Sequence, residues 1–340
     1  MSNVRVIAKR AGVSITTVSR VLNNHPHVSE NARRRVLAIS KEVGYSQSVG
    51  RRSVSNIAFV YTGEPSLGSP FDSALLAGLQ DGLGEQGYDL MVLDARRARL
   101  PNETFSQMFM RKGVCGAILR TTTQARGLCE SIAEEGFPTV VVADRFDNPK
   151  VSFVECDSRD ACHEAIEYLV GLGHKQIAIS VHVVDDSDHA DRVAAYRQVL
   201  KASGIEYDPR LVWRIPATRD GGVQMVRRLV TSPNRPTAVF IADPLPAVGV
   251  LAEARKLGLM VPRDLSVLGF DDTEMRLTVM PELTAVCQDA VALGRESLAA
   301  LVMLINREFR RPAAIRKTLR AWLEIHDSTS APPKAPDASR

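Results

Sequence analysis

The chain has 340 residues, 45% of them apolar, which is enough for two or three domains with a sizeable core. No apolar run reaches the about 18 residues of a membrane-spanning helix, and the opening MSNVRVIAKRAGVS has no apolar stretch ending in small residues, so no secretory signal is expected. The net charge of +4 hides an asymmetry: residues 1–56 carry ten Lys or Arg and two acids, a balance of +8, while the remaining 284 residues carry −4. A small basic head on a mildly acidic body points to a polyanion-binding module, with a solvated basic surface as the bland alternative. Cys115, Cys129, Cys156, Cys162 and Cys287 are odd in number and never form a C-x-x-C pair, so a reducing, cytoplasmic location is expected.

The head is read first. Asn3 is suited to cap a helix running to about Ala11. Gly12 supplies a tight turn, and Ser14 caps a second helix over about Ile15–Asn23. Ala8, Val13, Val18 and Leu22 can face inward. A third helix is expected over about Glu30–Val43, capped by Ser29, with Val36, Ile39 and Val43 as its inner stripe. Helix, tight turn and helix of this length make the DNA-reading helix-turn-helix, whose second helix enters the major groove. The outer face of that helix is sparse. Thr16 and Arg20 are four residues apart, on one side. Arg20 can pair with guanine through two hydrogen bonds, discriminating by about 1–3 kcal/mol, and Ile15 can touch a thymine methyl. Thr17, Ser19 and Asn23 are short donors for phosphate oxygens, and Arg33 opens a run of three arginines where the DNA backbone can pass. An ordinary helical hairpin with a surface arginine is the alternative.

From Asn56 onward short apolar runs alternate with helical periods. Strands are expected at Ile57–Tyr61, Asp89–Leu93, Gly116–Leu119, Thr139–Val142, Phe153–Cys156, Gln176–Ser180, Leu211–Ile215, Ala238–Ile241, Ser266–Gly269 and Leu283–Cys287. Helices fall between them at Asp72–Gln86, Cys129–Glu135, Arg159–Leu172, Arg192–Ala202, Gly221–Val230, Ala247–Lys256 and Ala290–Asn306. The alternation implies parallel sheets with right-handed crossovers, and the length implies two lobes. The terminal SAPPKAPDASR is rich in Pro and Ala, and residues 329–340 are expected to be disordered.

The stretch VIAKRAGVSITTVSRVLNNHPHVSENARRRVLAISKEVGY resembles the head of the LacI/GalR family of bacterial repressors. Ile7, Ala8, Ala11–Ser14, Thr17–Arg20, Asn23, Val28, Ser29, Gly44 and Tyr45 fall in the family's register, while Val6 stands where Asp is usual. The resemblance continues through SPFDSALLAGLQDGLGEQGYDLMVLDA, VVADR, VECDSRDACHEAIEYLVGLGHKQIAI and RPTAVFIADPLPAVGVLAEARKLGLMVPRDLSVLGFDDTEMRLTVMPELTAV, about residues 3–328. It implies a three-helix head at 1–45, a hinge at 46–56, and a two-lobed α/β body of the periplasmic-binding-protein type I fold at 57–328. By the same resemblance the lobes are discontinuous and the chain crosses between them near Cys156, Gln288 and Lys317.

The resemblance also implies an effector cleft between the lobes. Matching positions are Ser69, Phe71, Asp144, Arg145, Arg192, Asp243 and Asp271, a set suited to a sugar-like ligand. Asp271 could instead cap the following turn, and Arg192 could be an ion pair at a helix start. Two departures stand out. Ala242 replaces an amide that usually binds the effector, and Ala217 replaces a stacking aromatic, so the ligand is expected not to be a standard neutral hexose, or to bind weakly. The cluster HVVDDSDHAD at His182–Asp191 is expected in a loop bordering the cleft; it lacks a fixed ligand spacing and reads as a solvated acidic loop, with no metal site. No cofactor and no catalytic residue are expected.

The sequence thus points to a homodimeric transcription regulator that is not an enzyme and does not enter membranes. It would bind near-palindromic double-stranded operator DNA and repress a carbohydrate or related metabolite operon under control of a small-molecule effector. The alternative is a solute-binding protein of the same body fold, which should carry an export signal and no helix-turn-helix. In the family the hinge forms a helix on DNA and wedges a Leu into the minor groove. Here SQSVGRRSVSN puts Arg52 and Val54 at the minor-groove positions, Val replacing the wedge Leu, with Gly50 inside the helix and a shorter spacer behind. Weaker bending of the operator is therefore expected. Val54→Leu should increase the bend measured by gel phasing; an unchanged bend would remove the wedge assignment.

Overall fold

A computed structural model describes residues 3–22, 28–42, 56–232, 235–306 and 313–333. The chain divides into two units, Met1–Val54 and Ser55–Arg340. The hinge residues Arg52 and Val54, and also Asn23 and Val43, lie outside the described residues.

The first unit has three helices, α1 (Asn3–Ala11), α2 (Ile15–Leu22) and α3 (Glu30–Glu42). Asn3 is the first residue of α1 rather than the residue capping it. Gly12 turns the chain with φ +63°, a conformation that costs glycine little. Ser14 Oγ then accepts from the Thr17 amide at 3.0 Å, and Ser29 Oγ accepts from the Ala32 amide at 3.4 Å. Ile7, Ala8, Ala11, Val18, Val21 and Val36 form a small core, with Val13, Val28 and Ile39 packed at its edge.

The second unit holds two six-stranded sheets. The first contains β1 (Asn56–Tyr61), β2 (Asp89–Asp94), β3 (Val114–Arg120), β4 (Thr139–Val142) and β5 (Phe153–Asp157). Its helices are α4 (Pro70–Gln86), α5 (Ala95–Ala98), α6 (Phe105–Arg111) and α7 (Arg126–Glu134). The second lobe follows with α8 (Arg159–Gly171), β6 (Ile177–His182), α9 (Ser187–Ala202), β7 (Val212–Ile215), α10 (Arg219–Val230), β8 (Ala238–Ile241), α11 (Pro244–Lys256), β9 (Ser266–Asp271) and β10 (Thr284–Cys287). The chain then returns to the first lobe through α12 (Ala290–Asn306) and β11 (Arg316–Arg320), and ends in the second with β12 (Trp322–Glu324). The sheet orders are β11-β5-β4-β3-β1-β2 and β12-β10-β9-β8-β6-β7. Every neighbouring pair is parallel except β10 with β12.

The unbroken apolar strands follow from burial on both faces. In β1, Ile57, Phe59 and Tyr61 join one core cluster and Ala58 and Val60 the opposite one. In β8, Ala238 and Phe240 face one side and Val239 and Ile241 the other. The chain passes between lobes at Asp157–Ser158, at Gln288–Asp289 and at Ala321. The third passage comes at Ala321, four residues beyond Lys317, which pairs with Val154 inside β11. Strands β11 and β12 escaped the sequence because they are short, charged and at sheet edges. Nor does disorder begin at residue 329. Ser328 Oγ donates to Val267 O at 2.5 Å, and Ser330 O accepts from Ser266 Oγ at 3.0 Å and lies 2.9 Å from His174 Nε2. Residues 334–340 lie outside the described residues. Among the described residues no helix is long and apolar enough to cross a membrane.

Helices α4 and α12 cross at two glycines. A Cβ on Gly78 would lie 1.9 Å from Val291 O, and one on Gly294 would lie 2.2 Å from Leu75 O, so neither side chain can be accommodated without separating the helices. Gly84, also in α4, faces open space. Gly78→Ala and Gly294→Ala should each destabilise by about 1–3 kcal/mol, whereas Gly84→Ala should be neutral or stabilise by up to about 1 kcal/mol. Thermal unfolding of the three variants checks this, and equal melting temperatures would contradict the packing.

Candidate DNA-reading helix and effector cleft

In the head, Ile15 (50% exposed), Thr16 and Arg20 lie on the solvent side of α2, opposite buried Val18 and Val21. Thr17 is half-buried, and its hydroxyl is 2.9 Å from Ser14 Oγ, so it helps to close the cap. Ser19 sits on α2, and Arg33, half-buried, in the first turn of α3. The side chain of Ser19 lies outside what is described.

In the body, a cavity of about 380 Å³ opens between the lobes. From the first lobe it is lined by the Ser66–Phe71 segment and by Arg120 at the end of β3. From the second lobe it is lined by His182, the first turns of α9, the Pro216–Thr218 turn, Ala242–Leu245, Phe270, Asp272 and Gln288. These are the carboxyl ends of the parallel strands, where ligands of open α/β sheets bind.

Of the seven matched positions, Ser69, Phe71, Arg192 and Asp243 line the cavity; Asp144, Arg145 and Asp271 do not. Asp271 is 1% exposed and caps a turn. It accepts from the amides of Thr273, Met275 and Arg276 and, at 2.9 Å, from the Arg276 guanidinium. Side chains alternate along an extended strand, so Phe270 and Asp272 reach the cavity and Asp271 turns away. Asp144 and Arg145 instead fasten the lobes together. Asp144 Oδ1 accepts from Ser187 Oγ at 2.8 Å and is bonded to Arg126. Arg145 donates twice to Asp191, at 2.7 and 3.0 Å. The Thr123 amide donates to Asp185 O at 3.1 Å in the same clasp.

The cluster at His182–Asp191 is not a solvated loop. Asp186 caps α9, which begins at Ser187, five residues before the expected start, and His182, Asp186, Asp188 and His189 face the cavity. Among the described residues no group of three or more His, Cys, Asp or Glu is arranged to hold a metal ion. His189 Nδ1 lies 2.8 Å from one Asp186 oxygen and 2.9 Å from the other, and its Nε2 lies 3.3 Å from Asp243. Burial disfavours its charge, but the bonds to Asp186 and Asp243 outweigh burial and hold its pKa up at about 9. The same contacts overcome burial at both carboxylates and hold Asp186 and Asp243 below the usual range. Asp188 and Asp272 behave oppositely. Burial raises Asp188 to about 7 and Asp272 to about 6, against the opposing pull of Arg192 in each case.

Two guanidiniums reach the cavity. Arg192 is 5% exposed, lies 3.7 Å from the Phe270 ring centroid and donates through Nη1 to Ala242 O at 2.7 Å; its buried Nε has no partner. Arg120 lies over Phe71 and donates through Nε to Asp72 at 3.1 Å. Asp72 is fully buried and also accepts from Tyr61 and Ser66. Arg120 and Asp272 were not assigned to the cleft from the sequence, whereas Asp188 and His189 belong to the cluster expected at its border. Of these, only the His/Asp cluster left a visible signal, its composition.

Residues 4–48 match the family described as bacterial regulatory proteins, lacI family, and residues 166–329 match the periplasmic binding protein-like domain. The chain is 31% identical over 334 residues to the HTH-type transcriptional repressor CytR of Escherichia coli K12, covering 96% of each. It is similar to the structure of the transcriptional regulator CelR in complex with cellobiose, with TM-score 0.68 and 29% identity over 96% of this chain and 99% of that one. It is likewise similar to the lac repressor dimer bound to operator and the anti-inducer ONPF, with TM-score 0.68 and 25% identity over 96% and 98%. The capped two-helix head and the cleft between parallel sheets are thus accompanied by similarity along nearly the whole chain, and the protein belongs to the LacI family of bacterial transcription regulators.

Proposed function

We propose that the protein is a homodimeric repressor whose α2 helices read a near-palindromic operator and whose cleft binds a small, sugar-like effector. The observation that carries this is the outward face of α2, where Ile15, Thr16 and Arg20 stand exposed on a helix fixed by the Ser14 cap and by Val18 and Val21 beneath. Arg20 would pair with guanine, Ile15 and Thr16 would contact neighbouring bases, and Thr17, Ser19, Asn23 and Arg33 would contact phosphates. Arg52 and Val54 would lie in the minor groove. A two-fold protein matches a two-fold site, and the dimeric operator complex of the lac repressor supports that assembly here. A solute-binding role leaves the head unexplained. The function needs binding and a shift in lobe arrangement, with no covalent step.

The effector would bridge the Phe71–Arg120 wall and the α9 wall and so favour the closed lobes. The cellobiose complex of CelR supports a carbohydrate-like ligand. The clasp of Asp144, Arg145, Ser187 and Asp191 would hold the same closed arrangement, so ligand and clasp draw on one equilibrium.

Two outcomes follow. In a gel shift against a palindrome library, the full chain should select a consensus, and Arg20→Ala should relax selection at one base pair per half-site, costing about 1–3 kcal/mol there; uniform weakening across all sequences would assign Arg20 to the backbone. For the clasp, Arg145→Ala and Asp191→Ala should each weaken effector binding, with a coupling of about 1 kcal/mol in the double-mutant cycle because the pair is partly exposed. Strictly additive losses, read by calorimetry, would show that the two residues act separately.

A further inference from the structure

The charges lining the cleft fall into three groups, and two of them are already satisfied. Arg120 is bonded to buried Asp72. His189 is held at both ring nitrogens by Asp186 and Asp243. The third group is Arg192, Asp188 and Asp272. Asp188 and Arg192 are four residues apart on α9 and share one face of it. Both line the cavity, yet no ion pair joins them. Among the described residues no side chain donates to Asp188 or forms an ion pair with it, and Asp272 is met by the Gln288 amide at 2.6 Å. Arg192 Nε is buried and unpartnered. An unmet donor and an unmet acceptor therefore stand side by side in one wall.

The sign of the lining narrows what fits them. Arg120, His189 and Arg192 face Asp186, Asp188, Asp243 and Asp272, three cations against four carboxylates, with Asp72 behind Arg120 as a fifth. A phosphate or carboxylate would meet no surplus of cations there. A neutral polyol could satisfy Arg192 but would bring no cation to Asp188, which no side chain meets among the described residues. Burial pushes Asp188 and Asp272 upward, against the pull of Arg192 on each. With Ala217 on the rim in place of an aromatic ring, stacking contributes little and polar contacts must carry the affinity.

We propose that the effector is a hydroxylated primary amine, an amino sugar being the simplest case, whose ammonium pairs with Asp188 and whose neighbouring oxygen accepts from Arg192. The proposal rests on the cleft being the effector site.

Calorimetry on the full chain with glucosamine, galactosamine and mannosamine, their parent hexoses, their N-acetyl derivatives and the hexose 6-phosphates tests it. At least one amino hexose should bind, with its parent hexose and N-acetyl derivative at least tenfold weaker and the phosphates weaker still. Asp188→Asn should reduce the preference of amine over parent to within about threefold while leaving thermal unfolding unchanged, and Arg192→Ala should weaken amine and parent alike. If a neutral hexose or a phosphate binds as tightly as the amine and that binding falls in Arg192→Ala, the cleft stands as the effector site and the amine proposal is overturned. If an amine binds with unchanged affinity in both variants, the assignment of the cleft itself fails. Absence of binding by all three amino hexoses also overturns the proposal.

Discussion

The hydrogen bond from the Ala321 amide to Asp157 O ties the first passage between the lobes to the third. The cleft depends on this small constraint. Two sheets joined by three strands of chain cannot separate, and with two of those strands bonded side by side the lobes can turn about only a narrow line. The cavity is lined from both sides of that line by the loops and helix starts that follow the parallel strands. A rotation about that line would move the two walls against each other and break the clasp while leaving the strand pairing of each sheet intact.

Electrostatics set the character of the cleft. Of its buried acids, the pair around His189 is kept ionised by a shared imidazolium, and the others, Asp188 and Asp272, are pushed toward protonation by burial. The two kinds of carboxylate come from the same stretch of sequence, two residues apart in the case of Asp186 and Asp188. Their difference is a matter of which side of the α9 N-terminus each occupies. One becomes a cap bonded to the ring behind it, and the other lines the cavity.

Much of this was legible in the residues. Gly12, Ser14 and Ser29 marked the helix boundaries of the head because turns and caps are local chemistry. The doubly buried strands announced themselves as unbroken apolar runs. What could not be read was non-local. Strands β11 and β12 carry charge because they are edges, and an edge is defined only by where the rest of the sheet lies. Asp271 and Asp272 are adjacent and chemically identical, and only the register of β9 decides which one meets the cavity. Arg120 had no local signal, since its role comes from Asp72, 48 residues earlier, which holds it in place.

The interleaving of the two lobes along the chain bears on how the molecule comes into being. During synthesis neither sheet can gain its last edge until residues 316–324 have left the ribosome, because β11 closes the first lobe and β12 the second. The head, complete within the first few dozen residues, is under no such delay. The part that grips DNA is thus free to fold well before the part that governs it, and in that interval two unfinished sheet edges are exposed to other chains.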